Sequence, residues 1–307
     1  MGEFDLIARY FTRPVRRSPL GVGDDCALLQ PQPGMQLAVS TDLLLEGRHF
    51  LADVDPLRLG HKALAVNLSD LAACGARPLA FTLALALPDI DEPWLAAFAE
   101  GMFALADAHE CELVGGDTTR GPLAIDITVF GEVPTGQALL RSGAQAGDEI
   151  WVSGTLGDAR VALEALRGKV SLPQDVLGAA RLRLEQPTPR VALGLALRGV
   201  ATAAIDLSDG LAGDLGHILE RSGVGATLEA AKLPSTHALE LTLNAGDDYE
   251  LAFTAPSSRR AAVEAAARQA STPVTRIGRI EAAPGLRVVD AQGQPVAVRA
   301  ASFDHFA

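Results

Sequence analysis

Six Gly-Asp dipeptides punctuate the chain: Gly23-Asp24, Gly116-Asp117, Gly147-Asp148, Gly157-Asp158, Gly213-Asp214 and Gly246-Asp247. Beside them stand Ser40-Thr41-Asp42, Asn67-Leu68-Ser69-Asp70 and Asp206-Leu207-Ser208-Asp209-Gly210. Glycine lets a backbone come close to a ligand, and a neighbouring carboxylate supplies a hard oxygen for a hard cation. Magnesium in particular bridges phosphate oxygens to one or two carboxylates. Asp25, Asp42, Asp70, Asp117, Asp206 and Asp209 are therefore the candidates to hold several such ions. Phosphoryl transfer asks little covalent work of a protein, so ions and alignment suffice for it. The pattern reads as a magnesium-dependent enzyme that uses a nucleotide. A Gly-Asp pair also serves as a plain turn. Asp148, Asp158 and Asp214 are read that way, with Asp214 expected on a helix surface.

The usual nucleotide motifs are absent. No GxxxxGK[ST] occurs, no GxGxxG follows an expected strand, and no kinase catalytic-loop or EF-hand spacing is present. Any ATP site must hold its phosphates differently. Arg141 is a lone base among small residues, suited either to bridging phosphate oxygens or to a salt bridge between domains. Ser208 is suited to bonding a phosphate or to capping the helix that follows it. His49, in Glu46-Gly47-Arg48-His49-Phe50, needs no special role on these grounds, and the aromatic Phe303-Asp304-His305-Phe306 is expected to dock rather than fray.

Those residues must be positioned by a protein of 307 residues, long enough for two domains. Hydrophobic residues make up 48% and aromatics only 5%, so the core is aliphatic. A net charge of −12 argues against a nucleic-acid partner, whose backbone demands a basic face. The apolar run from Pro78 to Pro88 is far shorter than the roughly 20 residues of a spanning helix, and residues 1–17 mix acids and bases unlike a signal peptide. No membrane role is expected. Cys26, Cys74 and Cys111 lack zinc spacing and suit a reducing cytoplasm as buried thiols.

The hydrophobic pattern predicts a short buried strand from Leu37 to Ser40 and a helix from Pro56 that stops at Gly75. A second strand, Leu79 to Leu87, is apolar throughout and expected to be buried on both sides. A helix from Glu92 to His109 follows, then Leu113-Val114 leading into Gly115-Gly116-Asp117, and a strand from Leu123 to Val133. A strand-rich segment is expected ahead of these. The break over residues 134–148 separates an N-terminal domain, 1–137, from a C-terminal one, 138–307. In the second, strands over 149–153, 202–205, 249–254 and 274–280 alternate with helices over 158–166, 176–185, 190–197, 211–221 and 259–270. The fold class is layered α/β.

Taken together, GVGDDCALL, STDLLLEGRHF, KALAVNLSDLAACGA, GGDTTRGPL, RSGAQAGD, IDLSDGL, GDDYEL and FDHF resemble the thiamine-monophosphate kinase family, in order and along nearly the whole chain. That family belongs with aminoimidazole ribonucleotide synthetase and selenophosphate synthetase. The resemblance implies transfer of the ATP γ-phosphate onto thiamine monophosphate, the last step in making thiamine diphosphate. It also implies a two-domain aminoimidazole-ribonucleotide-synthetase-like fold whose N-terminal domain pairs with its twin in a homodimer β-barrel. Carried over position by position, magnesium ligands fall on Asp25, Ser40, Thr41, Asp42, Asp70, Asp117, Asp206 and Asp209. Nucleotide contacts fall on Gly116, Asp117, Arg141 and Ser208, and thiamine phosphate contacts on His49, Asp247 and Phe303. Asp247 stands where the family often has Glu, and Phe303 where it often has Tyr or Trp. No general base is implied.

Overall fold

Glu3 to Leu6 forms a short helix, α1, that runs into one π-helical turn at Ile7–Phe11 of the computed structural model, which describes residues 2–298. Phe303 and the rest of the terminal aromatic run lie outside the described residues. The chain divides into two compact units, one of residues up to Leu71 with Ala76–Gly136, the other of Ala72–Gly75 with the chain from Gln137 onward.

In the first unit β1 (Met35–Leu45), α2 (Pro56–Ala73), β2 (Arg77–Leu87), α3 (Glu92–Ala108), β3 (Glu112–Arg120) and β4 (Ala124–Pro134) follow in order. The strands form one sheet, β1-β4-β2-β3, in which only β2 and β3 run parallel. Leu59, Leu64, Leu68 and Leu71 of α2 are buried, as are Leu95, Phe98 and Met102 of α3. The two helices approach backbone to backbone. A Cβ on Gly60 would sit 2.0 Å from the Phe98 carbonyl oxygen, and one on Gly101 would sit 1.8 Å from that of Leu57. Only glycine allows that approach.

Period-two alternation governs the sheet. On β1, Ala38, Ser40, Asp42 and Leu44 are more buried than their odd-numbered neighbours, while Leu37, Val39, Leu43 and Leu45 are exposed. The strand is thus longer than Leu37 to Ser40, and it is covered on one face rather than closed in. The same holds for the second half of β2. Leu79, Phe81, Leu83, Leu85 and Leu87 are buried, whereas Ala84 is exposed and Thr82 and Ala86 are half-buried. Pro78 and Ala80 are buried too, so the first half is closed in on both sides as expected, and only the second half is open on one face.

The segment ahead of β1 holds isolated bridges, Leu20 with Leu28 and Val22 with Asp24, rather than the expected strands. It is tied down by side chains instead. The Glu112 carboxylate accepts the backbone N–H groups of Arg16 at 2.5 Å, Arg17 at 3.0 Å and Ser18 at 3.0 Å. The Arg17 guanidinium donates to the carbonyls of Pro78 and Glu110. Glu132, 2% exposed, pairs with Arg77 and Arg17 and accepts the Gln32 N–H. Burial by itself raises the Glu112 carboxyl, but the three N–H donors outweigh it and the net shift is downward.

The second unit contains β5 (Glu149–Ser153), α4 (Asp158–Leu166), α5 (Gln174–Glu185), α6 (Val191–Leu197), β6 (Ala203–Asp206), α7 (Leu211–Ser222) and β7 (Gly225–Glu229). It closes with α8 (Leu239–Asn244), β8 (Leu251–Ala255), α9 (Arg260–Gln269), β9 (Val274–Glu281) and β10 (Gly285–Val289). The six-stranded sheet is ordered β10-β7-β9-β5-β8-β6, with β10 and β7 its parallel pair. Strands β7 and β10 were not expected. Each is five residues long and each begins with glycine, a weak strand signal. Ile150, Val152, Ile205, Leu215, Ile218, Leu228 and Ile277 form the core. Both units are layered α/β with mixed sheets, and no helix among the described residues is long and apolar enough to cross a membrane.

A carboxyl depressed in the fold contributes stability that is present above its unfolded value and lost as pH falls through its folded one. The melting temperature of the wild type therefore falls as pH drops below the ordinary glutamate value of 4.5. Glu112→Gln lowers the melting temperature at pH 7 and flattens this acid dependence. A variant with the wild-type acid profile would show that Glu112 does not fasten the segment.

Candidate functional site

In the first unit the inward pleat of β1 faces the late turns of α2, and there the Ser40 hydroxyl donates to Asp70 Oδ2 at 2.5 Å. Asp42 lies two residues on along the same pleat, opposite Ile127 of β4. Thr41 points the other way. Its hydroxyl is engaged with Asp126 Oδ1 at 2.9 Å, the Ile127 carbonyl at 3.1 Å and the Thr128 hydroxyl at 2.9 Å. Three residues before Asp70, fully buried Asn67 donates Nδ2 to the Ala63 carbonyl at 3.0 Å. Its Oδ1 is a buried acceptor with no donor.

Gly116 and Asp117 lie inside β3 rather than at its mouth. A register shift between Phe81 and Thr82 of β2 leaves Val114 as the extra residue, a bulge. Gly116 has φ +149°, and a Cβ there would stand 1.8 Å from the Leu83 carbonyl oxygen. The bulge sets Asp117 level with Ala84 and, across β2, with Asp126 of β4. That row is separate from Ser40 and Asp70. Asp25 is exposed in the loop held by Glu112, its N–H donating to Asp24 Oδ1 at 2.8 Å. His49 Nδ1 accepts the Leu45 N–H at 2.9 Å, which leaves the ring proton on Nε2 in the neutral imidazole. The buried Lys62 ammonium donates to the His49 carbonyl at 3.3 Å and holds that loop.

In the second unit β6 ends at Asp206, which is buried, and the turn Leu207 to Gly210 leads into α7. Gly210, not Ser208, is the N-cap of that helix, so the capping role open to Ser208 is not the one it fills. The Ser208 hydroxyl instead contacts Asp209 Oδ2 at 3.3 Å. Asp214, expected on a helix surface, is 3% exposed and accepts the N–H groups of Asp209 at 3.0 Å and Gly210 at 3.1 Å. Burial, together with the charge of Asp209, pushes its carboxyl up to about 7 against the pull of those N–H donors. Its position was legible. Leu211, Asp214, Leu215 and Ile218 share the i, i+3, i+4, i+7 stripe that α7 buries.

Asp247 sits at φ +64°, and its N–H donates to the Ser208 carbonyl at 2.9 Å. The acids after it are spent inside the unit. Asp248 accepts the Gly157 N–H at 2.9 Å, and burial raises its carboxyl well above the usual range. Glu250 is fully buried and pairs with Arg183 at 2.7 Å and Arg190 at 2.5 Å. Arg141 is exposed, and its guanidinium has no acidic partner among the described residues. Of the cysteines only Cys111 is buried, with burial raising its thiol. Cys74 is half-buried and Cys26 exposed, contrary to expectation.

Among the described residues no group of three His, Cys, Asp or Glu stands close enough to hold a metal ion by itself. The donors nevertheless fit a hard cation. They are carboxylate, hydroxyl and amide oxygens without a thiolate, and magnesium keeps positions for water and phosphate oxygen.

Fold and oxygen-rich loops define a protein of the AIR-synthase-related class. Residues 23–133 match AIR synthase related protein, N-terminal domain, and residues 145–291 match its C-terminal domain. Thiamine-monophosphate kinase of Salmonella typhimurium is 48% identical, covering 100% of this chain and 98% of its own. The crystal structure of thiamine-monophosphate kinase from Stenotrophomonas maltophilia K279a superposes with a TM-score of 0.85 at 48% identity, over 95% of this chain and 96% of that one. AaThiL complexed with AMPPCP and TMP gives 0.79 at 32% identity, over 90% and 89%. The chain belongs to the thiamine-monophosphate kinase family.

The bulge at Gly116 yields a direct test. Gly116→Ala forces the Leu83 backbone aside and is expected to cost on the order of 1–3 kcal/mol of stability. Gly115→Ala meets only Thr82 Cγ2 at 3.9 Å and is expected to unfold near the wild-type temperature. Equal melting temperatures for the two variants would refute the close approach.

Proposed function

We propose that this chain transfers the γ-phosphate of ATP to thiamine monophosphate, giving thiamine diphosphate and ADP. The observation that carries the reading is the Ser40–Asp70 contact. It joins two stretches, STDLL and NLSDL, through which the chain resembles its family, and it offers hard oxygens where no P-loop exists.

The acceptor is itself a phosphate monoester, with a second pKa of about 6, and is largely ionised at neutral pH. It needs no strong general base. What it needs is relief from the repulsion of two anions. Magnesium, when bound, would supply the positive charge that relieves this repulsion. Asp25, Ser40, Asp42 and Asp70 would hold it in the first unit, with Thr41 contributing through its main chain because its hydroxyl is engaged. Asp117 and Gly116 would serve the nucleotide from β3. Asp206 and Asp209 would hold ions in the second unit, where Ser208 and Arg141 would contact the nucleotide. His49, with its ring proton on Nε2 in the neutral imidazole, would contact the acceptor phosphate, and Asp247 and Phe303 would complete the substrate contacts.

The protein acts as a homodimer in this reading. Leu37, Val39, Leu43 and Leu45 are 43%, 58%, 49% and 39% exposed in a row on the uncovered face of β1, an apolar stripe that a second copy would bury. Free cysteines, with no disulfide among the described residues, support a cytoplasmic location.

Mass spectrometry of protein, thiamine monophosphate, ATP and magnesium tests the activity. Thiamine diphosphate and ADP are expected in equal amounts, and both vanish with EDTA. Free phosphate without thiamine diphosphate would point to another acceptor. Asp42→Asn or Asp117→Asn is expected to lower turnover by on the order of 100-fold. Asp158→Asn, which alters a hydrogen bond with His237 at 2.8 Å, is not. Equal losses would undo the assignment. Light scattering tests assembly: Val39→Asp is expected to turn a dimeric protein monomeric, and an unchanged mass would exclude the β1 face.

A further inference from the structure

Asp214 is a buried carboxylate for which nothing so far gives a use. It stands one turn into α7, and a single oxygen, Oδ2, accepts two successive backbone N–H groups, those of Asp209 and Gly210. The loop it holds is also gripped from its other side. The Ser208 carbonyl accepts the Asp247 N–H at 2.9 Å, and the Leu207 carbonyl accepts that of Tyr249 at 2.8 Å. Packing leaves no slack. A Cβ on Gly246 would lie 2.4 Å from the Ser208 carbonyl oxygen, and one on Gly210 would lie 2.8 Å from the Asn244 carbonyl carbon.

We infer that Asp214 is a positioning residue that fixes the Ser208-Asp209 loop and, through the Ser208 carbonyl, the Asp247 backbone. The inference rests on the functional reading above, in which Asp209 holds a cation, Ser208 contacts the nucleotide and Asp247 the substrate. Two amides aimed at one internal oxygen set the direction of the Asp209 side chain. Without that oxygen, the buried Gly210 N–H and the half-buried Asp209 N–H lose their acceptor, and the loop must turn to satisfy them. Because Asp247 hangs on the next carbonyl, the disturbance reaches the substrate side as well. Asp214 acts through the loop, by the two N–H groups it accepts.

Magnesium titrations of the full-length kinase reaction test this with Asp214→Ala and Asp214→Asn. Outer residues that orient metal ligands change metal affinity or activity by about 10–100-fold when removed. Asp214→Ala is expected to raise the magnesium concentration for half-maximal activity at least about tenfold, and to raise KM for thiamine monophosphate. Asp214→Asn keeps an acceptor oxygen at the same reach and is expected to recover most of both losses. An Asp214→Ala protein that is folded by circular dichroism, with wild-type magnesium dependence and KM, overturns the inference. So does an Asp214→Asn protein as impaired as the alanine variant.

Leu215→Ala, which opens a cavity in the same helix, separates simple destabilisation from positioning. It is expected to lower the melting temperature without shifting the magnesium requirement, and a shift equal to that of Asp214→Ala also overturns the inference. Should Asp214→Ala fail to fold, amide hydrogen exchange of the wild type decides. Slow exchange at Asp209 and Gly210 without ligands is expected, and exchange at the rate of an open loop refutes the contact. Wild-type protein that makes no thiamine diphosphate would sink the functional reading. It would leave the exchange test of the contact standing.

Discussion

The pleat of β1 is the constraint on which the first unit depends. Successive side chains on a strand point to opposite faces, so one eleven-residue element faces two environments at once. Ser40 and Asp42 turn toward the helices, and Ser40 meets Asp70 there. Leu37, Val39, Thr41, Leu43 and Leu45 turn away, four of them apolar and exposed. A register slip of one residue would exchange the two sets, putting Val39 or Thr41 against Asp70 and turning Asp42 to the open face. The antiparallel ladder with β4, continuous from Met35 to Leu45, guards against that slip. The close crossing of α2 and α3 at Gly60 and Gly101 then fixes the helical layer that presents Asp70.

The second unit meets a different difficulty, because it keeps many acids inside. Each buried carboxylate has a designated partner, as the cost of burying an unpaired charge requires. Glu250 is held by two arginines and the Ser153 hydroxyl, Asp248 by the Gly157 N–H, and Asp148 by Thr202 and the Gln145 N–H. Asp214 differs in what it holds: its partners are the amides of the very loop that carries Asp209. Internal acids of this kind stiffen loops and leave neighbouring acids to face outward. Gly-Asp pairs that look alike in the chain therefore divide into those that build the loops and those the loops display.

How much of this was legible depended on the kind of signal. Helices α2, α3, α7 and α9 could be placed within a residue or two, because a 3.6-residue apolar period and stops such as Gly75 are local. Strand extent was harder. Alanine and threonine on the open face of β2 read as apolar filling, and β7 and β10 were too short to register. The oxygen-rich stretches stood out at once, yet their individual roles did not. Asp25, Asp42 and Asp117 look equivalent on paper, but one lies in a loop fastened by Glu112, one on an inward pleat and one beside a bulge.

By itself the sequence determined the composition of the chemistry: hard oxygens beside glycines, no P-loop, no thiol or imidazole cluster, and a layered α/β chain of the thiamine-monophosphate kinase type. These follow from residue types and short spacings, which no folding can change. Tertiary structure alone decided which oxygens meet. Ser40 and Asp70 are thirty residues apart, Ser208 and Asp247 nearly forty, and Asp214 becomes a loop anchor only when α7 buries its inner stripe. Such pairings depend on the register of a strand and the rotation of a helix. Both are set by packing across the whole unit, and neither is written at any single position.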